Sequence, residues 1–308
     1  MLHPTTVSGW IAGLQAGVVR PRLPAAAHFG RNTVRSDLIV ERRGNVTPVE
    51  AGIILLAAVL AGAMNAVVGA GTLVTFPTLL ALGVPPILAN VSNTVGLVSG
   101  SVAGAYGYRA TLRGHLRLVL RLVAASAAGG IGGALLLLVL PSQTFEFVVP
   151  LLLVASAVLA AAQPRVAAAV ARRRTAKADA AGTDLAPVRG GPLLLLGVAA
   201  TGVYGGYFGA AQGVILLALL GMFIAGDLND VNGIKNILAA VANAVSAIVF
   251  VLLASIDWRI AVLIAVGATI GGGLGGRYGR RLPSSALRAL VVVIAVVAAI
   301  WQLVEVTR

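Results

Sequence analysis

From Ala51 to Asn90 the chain carries no charged residue, and runs nearly as apolar follow one another towards the C-terminus. Such a run either lies deep in a large core or leaves water altogether, and composition decides between the two. Of 308 residues 58% are hydrophobic and 11% charged, with a mean hydropathy of +0.96. That mixture leaves too little polar surface to cover a soluble domain. Several runs reach the roughly 17–25 residues a helix needs to cross about 30 Å of hydrocarbon. The expected fold class is an all-α polytopic membrane protein, multi-pass in the cell (inner) membrane and in contact with membrane lipid.

Glycine contributes 38 residues and aromatics only 5%, a balance that favours close helix-to-helix approach over large side-chain packing. The chain has no cysteine, which excludes disulfides, thiolate metal sites and thiol redox chemistry. The net charge of +13 sits in short clusters between apolar runs, not on one face of a polar domain. The cations therefore read as topology determinants, and no nucleic-acid partner is expected.

Residues 1–47 form a polar, Arg-bearing tail with Pro4, Pro21 and Pro24 and no sustained period, expected to be disordered. Its piece "WIAGLQAGVV" lacks a preceding basic region and a cleavage site, so it does not read as a signal peptide. Apolar segments then fall at 51–69, 72–82, 88–108, 117–140 and 145–163, and after a basic linker at 164–191 they resume at 192–209, 211–225, 232–254, 258–276 and 286–304. Five segments on each side of one linker suggest a repeat. Gly62, Gly69 and Ala70 lie 140 residues before Gly202, Gly209 and Ala210, and Asn90 lies 142 before Asn232. "GGIGG" at 129–133 answers "GGLGG" at 272–276, and "LPSQ" at 140–143 answers "LPSS" at 282–285. The shared order and nearly constant offset point to two homologous halves, 48–163 and 192–308. The Gly clusters place glycines four apart on one helix face and read as packing motifs.

The first two segments of each half are together too long for one ordinary span and too short for two. They form either one Gly-broken crossing or a re-entrant hairpin, followed by about three full transmembrane helices. Arginine clusters weigh on the choice: with hairpins, the loops at 109–121, 164–191 and 277–288 all fall on one side, expected to be cytoplasmic. The hairpin scheme gives each half an odd number of spans and so favours an inverted repeat, the usual geometry for alternating access. Against it stand six arginines in the tail, which it places outside.

The break "MNAVVGAGT" sits inside the first apolar run. Non-helical backbone at membrane depth is tolerated only where protein or a polar cavity satisfies it, and the amides at the start of the next half-helix, with the positive end of its dipole, favour an anion. Candidate binding residues here are Asn65, Gly69, Gly71 and Thr72, with Gln212 and Gly213 at the second break. In inverted halves the two breaks approach each other near the midplane. Asn90, Ser92 and Asn93 begin the next long helix, and Asn232, Lys235 and Asn236 match them in the other half. N-capping with interhelical hydrogen bonding accounts for Asn90 and Asn232 equally well. Lys235 opens an apolar stretch, and intramembrane charge is costly and usually functional; snorkelling from the helix end is the alternative. Asn243 reads as a helix-to-helix bonding residue. The formal GxGxxG of Gly271, Gly273 and Gly276 has no preceding strand, so nucleotide binding is discounted. No catalytic constellation, metal site or cofactor site is evident, and an enzyme is not expected.

The stretch "AGAMNAVVGAGTLVTFPTLLALGVPPILANVSN" resembles the first-half signature of the TauE/SafE family, the sulfite exporter or toluene-sulfonate uptake permease group. The elements that carry the resemblance are Gly69, Gly71, Pro77, the turn Leu82–Pro86, and Ala89, Asn90 and Asn93, and the similarity extends over most of 50–305. It implies a secondary transporter of a small anion, sulfite or an organosulfonate, working by export. Import of sulfur anions, export of small carboxylates, and a non-transporting scaffold or accessory subunit are the competing expectations.

Overall fold

The computed structural model describes residues 46–106, 116–181, 191–224, 228–278 and 284–306. All but the end of the 1–47 tail, together with Arg109, Arg113, Arg189, Arg280 and Arg281, lies outside them. Among the described residues the regular structure is helical throughout, in ten helices: α1 (Pro48–Val67), α2 (Thr72–Ala81), α3 (Pro86–Tyr106), α4 (Leu116–Val139), α5 (Ser142–Ala181), α6 (Pro192–Tyr207), α7 (Gln212–Phe223), α8 (Leu228–Leu253), α9 (Trp258–Tyr278) and α10 (Ser284–Val306). α1 opens on a capping box, Glu50 N–H donating to Thr47 Oγ1 at 3.3 Å and Thr47 N–H to Glu50 Oε2 at 2.8 Å, with Pro48 pre-set for the first turn.

α1, α4, α9 and the segments 142–172 of α5 and 230–253 of α8 are long and apolar enough to cross a membrane. Their outward faces carry exposed Leu56, Leu120, Phe147, Leu151, Ile248 and Val262, a surface suited to lipid and not to water. α3 is equally long but more polar. It packs against α9, α8 and α1, and a helix enclosed by protein needs little lipid-facing apolar surface.

Glycine contacts give the helix directions. Gly62 of α1 and Gly100 of α3 both lie against Ala268 of α9, and Gly271 and Gly275 of α9 lie against Val59 and Ala63 of α1. Gly272 and Gly276 face Gly100 and Gly104 of α3. The numbers rise together, so α1, α3 and α9 run parallel, and α1 and α3 begin level. The one helix between them, α2, therefore brings the chain back to the side from which α1 set out.

The second half repeats this. Gly130 of α4 lies against Gly206 of α6 and Ala242 of α8, Ser126 Oγ donates to the Leu238 carbonyl at 2.8 Å, and Ser246 Oγ donates to the Gly130 carbonyl at 3.1 Å. α4, α6 and α8 are thus parallel, and α7 returns the chain. The two sets run in opposite directions: going up α8, Asn243 meets Ser101 of α3, while Asp257, just beyond α8, meets Ser92 further back along α3. Pairings also come in exchanged sets. α1 packs on α9 as α6 does on α4, α3 on α9 as α8 on α4, and α2 on α10 as α7 on α5, while α3 pairs with α8 and α5 with α10.

Two sequence expectations change. The linker does not begin at 164, because α5 continues through Pro164 to Ala181, and Gly221 of α7 packs directly on Val170. Alanine and arginine in this stretch have high helix propensity, which outweighs the proline and the charges that signalled a boundary. α3 and α8 also start earlier than the apolar runs did, at Pro86 and Leu228, so Asn90 and Asn232 are each the fifth helical residue and not N-caps.

Candidate functional site: the crossing of two helix breaks

Both broken helices end in the same way. After α1 the chain turns at Gly69 with φ +80°, and after α6 at Gly209 with φ +76°, followed by Ala211 at φ +58°. A left-handed residue stops the helix and lets the chain reverse. The two turns meet: the Gly213 N–H donates to the Gly69 carbonyl at 3.2 Å. A Cβ on either glycine would lie 2.5 Å from the Cα of the other, so only glycine permits this approach.

The free carbonyls at the ends of α1 and α6 are satisfied from the opposite half. Asn236 Nδ2 of α8 donates to the Ala66 carbonyl at 3.3 Å, and Asn90 Nδ2 of α3 donates to the Tyr207 carbonyl at 3.0 Å. The last carbonyls of any helix lack an internal partner, and in an apolar interior each must find one. The asparagines of the two long helices supply them, crosswise.

A narrow cavity of about 10 Å³ adjoins the crossing, lined among others by Asn65, Gly69, Ser101, Gly213 and Asn236. That is close to the smallest space that holds one water, so an anion the size of sulfite requires the helices to part. Ser101 is the hub of its polar wall, its Oγ accepting from Asn65 Nδ2 at 2.9 Å and from Asn243 Nδ2 at 3.2 Å. With both lone pairs engaged, its hydroxyl proton is left to donate. Sequence reasoning passes over Ser101, although it stands 142 residues from Asn243, the offset that relates Asn90 to Asn232.

Four of the predicted residues, Asn65, Gly69, Gly213 and Asn236, come together around this cavity. Thr72 begins α2 and Gly71 precedes it as the N-cap; both are buried, Gly71 against Ala61 and Asn65. Gln212 occupies the space beside Gly205 and donates from Nε2 to the Thr201 carbonyl at 3.3 Å. The amide thus comes from the helix before the break in the first half, with Asn65, and from the helix after it in the second. Asn90 and Asn93 lie between the end of α6 and the first turns of α2: Thr75 Oγ1 donates to Asn93 Oδ1, and the other amide atom of each, Asn90 Oδ1 and Asn93 Nδ2, has no partner among the described residues. Ser92 is placed elsewhere, accepting from the Asp257 N–H at 3.0 Å. Asn232 is half-buried on α8.

Lys235 is 1% exposed and one of the largest fully buried side chains. It does not snorkel, and among the described residues no hydrogen bond or carboxylate partner reaches its ammonium. Around the second break, Phe208 packs edge-on against Phe76 with centroids 5.2 Å apart, and Phe145 and Tyr207 complete the cluster. No group of three metal-ligating side chains occurs among the described residues.

The sequence pattern described as "Sulfite exporter TauE/SafE" matches residues 54–301, which include both breaks and both asparagine-bearing helices. The chain belongs to the TauE/SafE family. Among its relatives, the Probable membrane transporter protein ORF9 of Sinorhizobium sp is 26% identical over 258 residues, covering 83% of this chain and 93% of that protein. The Probable membrane transporter protein YfcA of Escherichia coli strain K12 is 24% identical over 258 residues, covering 82% and 89%. No solved structure matches. Family and fold together make this TauE/SafE protein a multi-pass membrane transporter with a small-molecule substrate.

Proposed function

We propose that the protein exports a small sulfur oxyanion, sulfite or an organosulfonate, across the inner membrane through the crossing of its two helix breaks, acting as a carrier and not as an enzyme. The observation that carries this reading is the contact of Gly213 N–H with the Gly69 carbonyl beside a polar cavity. Hydrogen-bond donors from both halves surround it, and a buried Lys235 without a counter-charge among the described residues stands on the helix that lines it. Charge-assisted hydrogen bonds to an oxyanion suit such a donor set. A single cation on the helix that lines the cavity suits a monoanion held without being trapped.

Opposed directions of equivalent helices, α3 against α8 and α1 against α6, support an inverted repeat. Rocking the halves about the crossing would open it to each side in turn. In this scheme the cationic segments at 109–121, 164–191 and 277–288 face the cytoplasm.

The test is uptake of labelled sulfite into proteoliposomes, competed by sulfate, thiosulfate, simple sulfonates and small carboxylates, with and without an imposed potential. Saturable uptake competed by sulfur oxyanions is expected. Competition by carboxylates alone would transfer the reading to that substrate class, and no uptake of any anion by folded protein would end it.

A further inference from the structure

The two orphan atoms on α3 are of opposite kind. Asn90 Oδ1 is an acceptor and Asn93 Nδ2 a donor, on side chains 1% and 0% exposed. Buried polar atoms without a partner are rare, and each calls for an occupant. Asn90 cannot exchange its amide atoms, because turning it over would bring Oδ1 against the Tyr207 carbonyl that Nδ2 now serves. On Asn93, Oδ1 is engaged by Thr75 Oγ1.

Residues three apart on a helix share a face, with Cβ atoms about 5–6 Å apart. One small ligand can therefore reach both. A bare cation would meet the Asn93 amide protons, and a fully deprotonated oxyanion would meet the Asn90 oxygen, so each leaves one atom unsatisfied or repelled. A ligand that accepts at one end and donates at the other satisfies both.

Resting on the transport reading above, we infer that the Asn90–Asn93 pair selects an oxyanion that still carries one hydroxyl, such as hydrogensulfite. The ligand's O–H donates to Asn90 Oδ1 while an anionic oxygen accepts from Asn93 Nδ2. The site lies beside the first turn of α2, where Thr75 fixes Asn93. The protonated monoanion, not the dianion or a plain sulfonate, is then the species carried.

The experiment compares hydrogensulfite with methanesulfinate, the monoanion in which methyl replaces the hydroxyl, at a pH where sulfite is singly protonated. Uptake into proteoliposomes and thermal stabilisation of the detergent-solubilised protein are both read. A site built to hydrogen-bond a hydroxyl discriminates strongly against the analogue that lacks it, so at least about a tenfold preference for hydrogensulfite is expected in uptake, with stabilisation by hydrogensulfite alone. Asn93→Asp keeps the acceptor for Thr75 and replaces the free donor by an acceptor. It should lose both effects while still eluting as a folded protein. Equal handling of the two anions by the unaltered protein, or an Asn93→Asp protein that responds to hydrogensulfite as the parent does, would leave an ordered water as the pair's occupant and overturn the inference. If folded protein takes up neither anion, the transport reading falls. Stabilisation by hydrogensulfite that Asn93→Asp abolishes would then still uphold the site, and its absence would overturn it.

Discussion

At the residue scale the chemistry rests on a few side chains held by backbone. Lys235 costs desolvation energy and returns no ion pair among the described residues, so replacing it with alanine removes an unfavourable burial as well as a cation. Lys235→Ala is expected to fold and insert normally while sulfite uptake falls about tenfold to a hundredfold, the worth of one charge-assisted hydrogen bond. Full uptake in a reconstituted variant would remove Lys235 from the site. Asn236→Leu should instead act on stability. It orphans the Ala66 carbonyl at a cost of about 1–3 kcal/mol, which would appear as a lowered unfolding temperature in detergent. Gly213→Ala forces a methyl into Gly69 at a contact that has no room for it, and overpacking of this kind costs about 1–3 kcal/mol. Glycine at 69 and 213 and the asparagines were legible because they interrupt an apolar run. Ser101 was not, since a serine in a small-residue stripe looks like packing until its two amide partners are seen.

At the scale of the element, α9 carries two stripes of small residues, Gly267, Gly271 and Gly275 towards α1, and Ala268, Gly272 and Gly276 towards α3. Gly273 faces neither helix, and a Cβ there meets nothing within 4 Å. Gly271 and Gly273 therefore make an internal control. Gly271→Ala should destabilise by about 1–3 kcal/mol through collision with Val59, whereas Gly273→Ala should be neutral or gain about 0.5–1 kcal/mol from helix propensity; thermal unfolding of the two variants side by side reads the difference. The stripes were legible as packing motifs from spacing alone. The end of α5 was not, because proline and clustered arginine mark boundaries only on average, and here α5 runs past Pro164 to pack Val170 on Gly221. The polar α3 was legible as a helix through its length, but its central position could be read only from its neighbours.

At the scale of the whole molecule, the sequence offset of 140–142 residues indicated two halves, and the hairpin reading favoured over the broken crossing has α2 and α7 turning back, the course each takes between parallel neighbours. What spacing could not supply was the register of one half against the other, since that depends on which glycine faces which helix across the interface. The naturally cysteine-free chain allows sidedness to be tested directly. Arg117→Cys at the start of α4 and Arg277→Cys near the end of α9 should label from the same side with a membrane-impermeant thiol reagent. Labelling from opposite sides would refute the inverted arrangement.

If the halves are copies of one unit, the bond from Asn243 to Ser101, set 142 residues apart like Asn232 and Asn90, joins two residues of one and the same place in the repeat. A residue that touches its own copy lies on the axis relating the copies. If the halves descend from one shorter gene, its product met itself at this point as a pair of identical chains inserted in opposite orientations. At that stage both partners carried the same side chain there, and a serine facing an asparagine became available once duplication let the two copies diverge.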